Sequence, residues 1–388
     1  MTRKTKRWFV DIASLAFNFS VALVAYFLST FASSIVGDQR VDFLFAISGF
    51  GTLLLLSLLV RLMTAIGRGR TTVWAAVVYF GSLILLASPM PRPVLVGVFA
   101  LYQISLLAVL VGLDVVLEKY SNDEMTGRIR GRHLAILNLG WIAAPWVAGS
   151  IMATYGFVTL ALLSALFALP VICILAVTFY GRGVGMVSRE QGIFQSFQLL
   201  WGKRPLRYAF AIAFLLQVFY AIMVIETPLV LRGLGFTPGA IGLMFTIMLL
   251  PFVLVQYPLG RLADRFGEKE IVTAGFTVAG LATLGIAWIS GTALAVSFFF
   301  WTVLLFFSRV GAASIEVMRD SYFFKHVDSR DLHVIALLWS MMPLAYLIAP
   351  LLSNTIVRST GAFPPLFGAL GLFLLIFAGL ATRMPDTK

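Results

Sequence analysis

The chain has 388 residues, of which 60% are hydrophobic and 12% charged. A soluble domain carries about 25% charged residues, and a chain this poor in charge cannot dress a packed core in polar surface. The net charge of +12 would suit a nucleic-acid binder by size alone, but the basic residues sit in short loops between long apolar runs, the distribution of a membrane protein.

Taken in chain order, the apolar runs predict transmembrane helices over 8–36, 41–66, 72–89, 93–118, 132–154, 157–180, 206–231, 238–260, 271–289, 292–316, 332–357 and 361–382. Each is close to the ~20 residues that a helix needs to cross the hydrocarbon layer. They are too long and too continuously apolar for barrel strands. The basic start, Arg3 to Arg7, precedes an apolar run too long for a signal peptide and with no small-residue cleavage site. It is expected to stay as the first span. The single cysteine, Cys173, excludes an intramolecular disulfide.

Lys and Arg orient these helices. Both tails, the central segment and alternate loops hold nearly all of the 29 basic residues, whereas Arg40, Arg92, Arg232 and Arg358 stand opposite and Arg309 falls inside a span. Basic loops face the cytoplasm, so both termini are expected there, in a cell membrane crossed an even number of times. The longest polar stretch, 181–205, separates a six-helix bundle over 1–180 from a second over 206–388. The halves also repeat. Arg61, Leu62 and Gly67 recur as Arg261, Leu262 and Gly267, and the Ala144-Pro145 step recurs as Ala349-Pro350.

Polar groups inside spans are expensive and therefore functional candidates. Asp11, Asn18, Gln103, Asn138, Gln217, Glu226 and Arg309 are the candidates for coupling or substrate contact. A proton-coupled carrier needs a buried carboxylate, and Glu226 in the seventh span is the first choice. Arg309 is expected either to bind an anionic group or to neutralise a buried acid. Asp114, Glu118 and Glu316 lie near the basic loops and are expected to form a charge network with Arg128, Arg130 or Arg319. The three histidines, His133, His326 and His333, show no metal-ligand grouping.

The run Gly260-Arg261-Leu262-Ala263-Asp264-Arg265-Phe266-Gly267 closely resembles motif A of the major facilitator superfamily. Glycines suit crowded or left-handed backbone at a tight helix connection, Asp264 suits a helix N-terminus, and Arg261 and Arg265 suit carboxylates. The first-half copy is eroded, with Val60 and Thr64 where Gly and Asp are expected. In the fifth span Gly131, Gly140, Ala144, Pro145, Ala148 and Gly149 resemble motif C of the drug–proton antiporters in the same superfamily. A small-residue stripe that packs helices closely would account for the same residues.

The resemblance implies twelve helices in two pseudo-symmetric six-helix bundles, all-α and integral to the membrane, working by alternating access. It implies a secondary transporter, with proton-coupled efflux of small amphiphilic or drug-like molecules as the first reading. A sugar or metabolite carrier is the second. A membrane enzyme or receptor is a distant third, for want of a nucleophile with its base or a nucleotide loop. The expected partners are the lipid bilayer, a small-molecule substrate and a proton. No metal, cofactor or nucleic acid is expected, and the chain is expected to act as a monomer.

Overall fold

A computed structural model describes residues 3–119, 126–180, 200–255, 258–259, 267–327 and 332–385. The first half forms α1 (Arg3–Ala25), α2 (Leu28–Val36), α3 (Val41–Ala65), α4 (Arg68–Leu86), α5 (Arg92–Lys119) and α6 (Thr126–Phe179). The second half forms α7 (Arg204–Gly233), α8 (Pro238–Leu249), α9 (Pro251–Leu254), α10 (Glu268–Ser290), α11 (Phe298–His326), α12 (Leu332–Trp339), α13 (Met341–Thr360) and α14 (Pro364–Ala381). Among the described residues nine helices are long and apolar enough to cross a membrane.

Helix number and crossing number differ for physical reasons. The 54 residues of α6 would reach about 80 Å at 1.5 Å per residue, far beyond one bilayer. The helix breaks at Gly156, where φ is 76° and ψ is −176°, so the fifth and sixth crossings are joined by one glycine. Elsewhere one predicted span becomes two helices. The first breaks at Tyr26–Phe27 between α1 and α2. The eighth breaks before Pro251, which has no N–H to continue the ladder. The eleventh breaks at Ser340, whose N–H and hydroxyl both donate to the Leu337 carbonyl.

The tenth span, expected to stop at 316, continues as α11 to His326. Its last turns carry Arg319, Asp320 and Lys325, and these charges are satisfied locally. Arg319 pairs with Asp320 at 2.7 Å and Lys325 with Glu268 at 2.5 Å.

Two compact units result, one of Met1–Met186 with Thr237–Leu243, the other of Val187–Phe236 with Met244–Lys388. In the first, α1 packs along α6, and α4 packs along α5 and α6. In the second, α7 packs along α11 and α13, and α10 packs along α11 and α14. Counted as crossings, these are corresponding pairs, so the sequence repeat is also a repeat of packing. The repeat reaches the backbone too. Gly67 caps α4 with φ 95° and ψ 144°, and Gly267 caps α10 with φ 89° and ψ 163°. Both lie where a side chain would be strained.

Apolar side chains supply the interior of each unit and, on the other helix faces, exposed residues such as Ile47, Trp74, Trp146 and Trp288. That pattern fits lipid rather than water outside. Many of the polar side chains inside find protein partners. In the first unit the Ser20 hydroxyl donates to the Ser164 carbonyl at 2.7 Å, Ser164 returns a bond to the Ser20 carbonyl at 2.8 Å, and the Tyr79 hydroxyl lies 3.0 Å from Ser20 Oγ. All three residues are buried, so this network ties α1, α4 and the second part of α6 together.

An interhelical hydrogen bond in a membrane contributes about 0.6 kcal/mol. Tyr79→Phe should therefore cost about that much, and Ser20→Val, which removes every side-chain bond that Ser20 makes in the network, should cost more. Thermal unfolding of the purified variants measures the order, and equal midpoints for both and the wild type would refute it.

A candidate solute site on the seventh and tenth crossings

Arg309 and Glu316 are seven residues apart on α11, close to two helical turns, and so share a face. That face meets α7 at two adjacent aromatic residues. The Arg309 guanidinium carbon lies 5.1 Å from the ring centre of Phe219 and 5.1 Å from that of Tyr220. The Tyr220 hydroxyl donates to Glu316 Oε2 at 2.9 Å, and its ring lies 6.3 Å from that of Phe252 on α9. Tyr220 thus joins the cation to the carboxylate, through its π face on one side and its hydroxyl on the other.

Arg309 is 2% exposed. Its Nε has no hydrogen-bond partner, and among the described residues it makes no ion pair. Placing an arginine at the centre of a membrane helix costs at least about 2.5–3.5 kcal/mol. Two cation–π contacts offset part of that but accept none of its N–H bonds.

Of the network expected for Glu316, Arg319 attracts the carboxylate electrostatically, and Arg128 and Arg130 have side chains outside the described residues. Glu316 turns onto Tyr220, and Arg319 gives both its Nε and a terminal nitrogen to Asp320. Asp114 and Glu118 lie in α5, and Arg128, Arg130 and Gly131 in α6, with side chains outside the described residues. Gly260, Arg261, Asp264 and Arg265 also lie outside them. Of the motif A stretch, Gly267 is described, and Glu268 follows it.

Glu268 does not stand out in the sequence as a separate residue. It is 2% exposed and sits in the first turn of α10. Ser321 donates to it at 2.9 Å and Lys325 pairs with it. The sequence signal is its position after a helix-capping glycine, opposite a basic helix end. A tenth span ending at 316 hides that signal, because it stops short of Lys325.

Glu226 on α7 is 3% exposed and accepts a bond from Ser353 Oγ of α13 at 2.5 Å. Six residues beyond Tyr220, it lies about 9 Å further along the helix, away from Glu316. In the first unit Asp11 and Asn18 are buried, whereas Gln103 and Asn138 are half-buried, as is Gln217 in the second. Asn18 accepts a bond from the indole N–H of Trp141 at 3.0 Å and donates to the Ser14 carbonyl at 2.9 Å. Trp141 also meets Tyr26 edge-on at 6.3 Å. Trp141 is a polar contact that no charge or motif in the sequence singles out.

The motif C-like stripe is occupied by packing. A Cβ on Gly140 would come within 3.2 Å of the Phe19 nitrogen on α1. A Cβ on Gly149 would come within 2.5 Å of the Pro238 carbonyl oxygen and 2.9 Å of Gly242 Cα, and one on Gly242 would strike the Pro145 carbonyl. Ala144 and Ala148 are fully buried. The backbone stays helical through Pro145 and leaves helical angles at Gly156. Among the described residues no group of His, Cys, Asp or Glu is placed to hold a metal ion.

Two consequences can be measured. Lys325→Met strands a buried carboxylate and should destabilise the protein by about 1–3 kcal/mol. Adding Glu268→Gln should restore much of the loss, and a double variant no better than the single would break this pairing argument. Gly149→Val should lower the thermal midpoint, whereas Gly81→Ala, with nothing within 4 Å of its added Cβ, should leave it unchanged.

Residues 208–387 match the Major Facilitator Superfamily model. A sugar transport protein of Oryza sativa subsp. japonica is 28% identical over 189 residues, a stretch covering 47% of this chain and 33% of that protein. The chain thus spans about a third of the length of the curated relative it matches. The crystal structure of the nucleoside transporter NupG, in a mutant form, superposes with a TM-score of 0.73 at 13% identity and covers 98% of both chains. The chain has the major facilitator fold, and its residues 208–387 resemble that superfamily in sequence.

Proposed function

We propose that this protein is a secondary transporter working by alternating access, and that the solute it carries is a small metabolite met by the Arg309–Tyr220–Glu316 cluster. The observation that carries this reading is the cluster itself. A permanently charged guanidinium is buried at membrane depth beside a half-buried carboxylate, where charge survives mainly at solute and ion pathways. The matched relatives are named as sugar and nucleoside transporters, which favours a metabolite over a drug. Proton-coupled efflux of amphiphiles remains the second reading. Its sequence support is the motif C-like helix, and close packing already accounts for each described small residue of that helix.

Coupling to protons needs a group that loads and unloads with the solute. Glu316 is assigned this role in preference to Glu226. Glu316 shares Tyr220 with the cation, whereas Glu226 is bonded to Ser353 on another helix face. The basic-loop pattern supports both termini on the cytoplasmic side, and motif A, with Asp264 and its arginines, is assigned to the gate.

The test uses everted membrane vesicles with an imposed proton gradient and a panel of labelled sugar, nucleoside, organic acid and cationic dye. One solute should accumulate, Glu316→Gln should keep solute exchange but lose accumulation by at least about tenfold, and Glu226→Gln should keep both. Gradient-driven movement of none of the panel counts against transport. Accumulation that survives Glu316→Gln and fails in Glu226→Gln moves the coupling role to Glu226.

A further inference from the structure

We infer that Arg309 is the anchor for a carboxylate, so that the solute taken by this site is a small organic anion with an apolar body. The inference rests on the proposed reading of the same cluster and adds the chemistry of its ligand.

A guanidinium offers five N–H donors in a fixed plane and keeps its charge at any physiological pH. In a folded protein a buried one either pairs with a carboxylate or spends its donors on carbonyls. Arg309 does neither among the described residues. It makes no hydrogen bond and no ion pair there, and its Nε is buried without a partner. The nearby acid, Glu316, is held by Tyr220 and attracts the cation through space without taking its N–H donors. The two rings, each at 5.1 Å, steady the cation through their π faces and leave its donors free. What completes such a group is a planar anion that takes two N–H bonds side by side.

The walls decide the rest of the ligand. Phe219 and Tyr220 meet the cation from the same helix, and Phe252 adjoins Tyr220. A strongly hydrated inorganic anion would lose its water there against rings that return no hydrogen bonds. A carboxylate on an aromatic or aliphatic body buries that body against the rings and presents its charge to Arg309. A cationic amphiphile would meet like charge.

Simple probe anions are enough to test this, whatever the natural solute. The purified full chain is titrated with benzoate, octanoate, inorganic phosphate, glucose and a cationic dye, with thermal stability and calorimetry as readouts. Benzoate or octanoate should bind saturably and raise the melting temperature. Arg309→Gln should abolish the response, and Arg309→Lys, which keeps the charge but not the fork, should weaken it by about tenfold. Arg309→Gln is expected to fold, because it removes a buried charge that has no ion pair to lose. If it does not purify, the lysine variant decides alone. Three results overturn the inference: no organic anion binds, the variants bind as the wild type does, or phosphate matches the organic acids. Benzoate binding through Arg309 in a protein that moves no solute would sink the transport reading and leave the anion site. Transport of glucose or dye with no response to benzoate would do the reverse.

Discussion

Hydrocarbon accepts no hydrogen bonds, and every other feature of this chain follows from that. Backbone groups must satisfy themselves, so the described residues inside the apolar runs are helical. Side-chain polar groups must be satisfied by neighbouring helices, so they collect where helices touch. The Ser20–Tyr79–Ser164 network, the Glu226–Ser353 pair and the Glu268–Lys325 pair each join different helices. Each costs little, because each polar atom arrives with a partner. Arg309 departs from this pattern, as the hydroxyl of Thr246 does, but it does so with a full charge, and that makes it an informative side chain in the second unit.

The fold is legible in the sequence because it depends on quantities the sequence carries directly. Run length and hydropathy mark crossings, basic loops mark their alternation, and Gly67 with Gly267 marks the repeat. Three details are not legible. The breaks at Tyr26–Phe27 and Ser340 are marked by no proline or glycine at the break itself, and they depend on local bonding. The extension of α11 to His326 depends on Lys325 finding Glu268, a contact more than fifty residues apart that no window average records. The single-glycine joint at Gly156 looks from the sequence like an ordinary short loop.

The site is legible in part. Arg309, Glu226 and Asn18 stand out as polar residues in apolar runs, and the structure buries all three. Their partners do not stand out. Tyr220, Trp141 and Ser353 are unremarkable in a sequence rich in aromatic and hydroxyl side chains, and only the pairing of helices gives them meaning. For Glu316 the sequence suggests Arg319, which does attract it, but not Tyr220, which comes to it from another helix.

The two helix-capping glycines show what a duplicated half keeps. Around Gly67 the acidic and glycine positions of the second-half copy have become Thr64 and Val60, so the chemistry of that loop has drifted. The backbone angle has not, since φ is 95° at Gly67 and 89° at Gly267. Charges in a loop can be exchanged for other charges nearby, but the direction in which a chain re-enters the bilayer has few substitutes. The inheritance common to the two halves is therefore a steering angle, and the electrostatics of each loop were left to diverge around it.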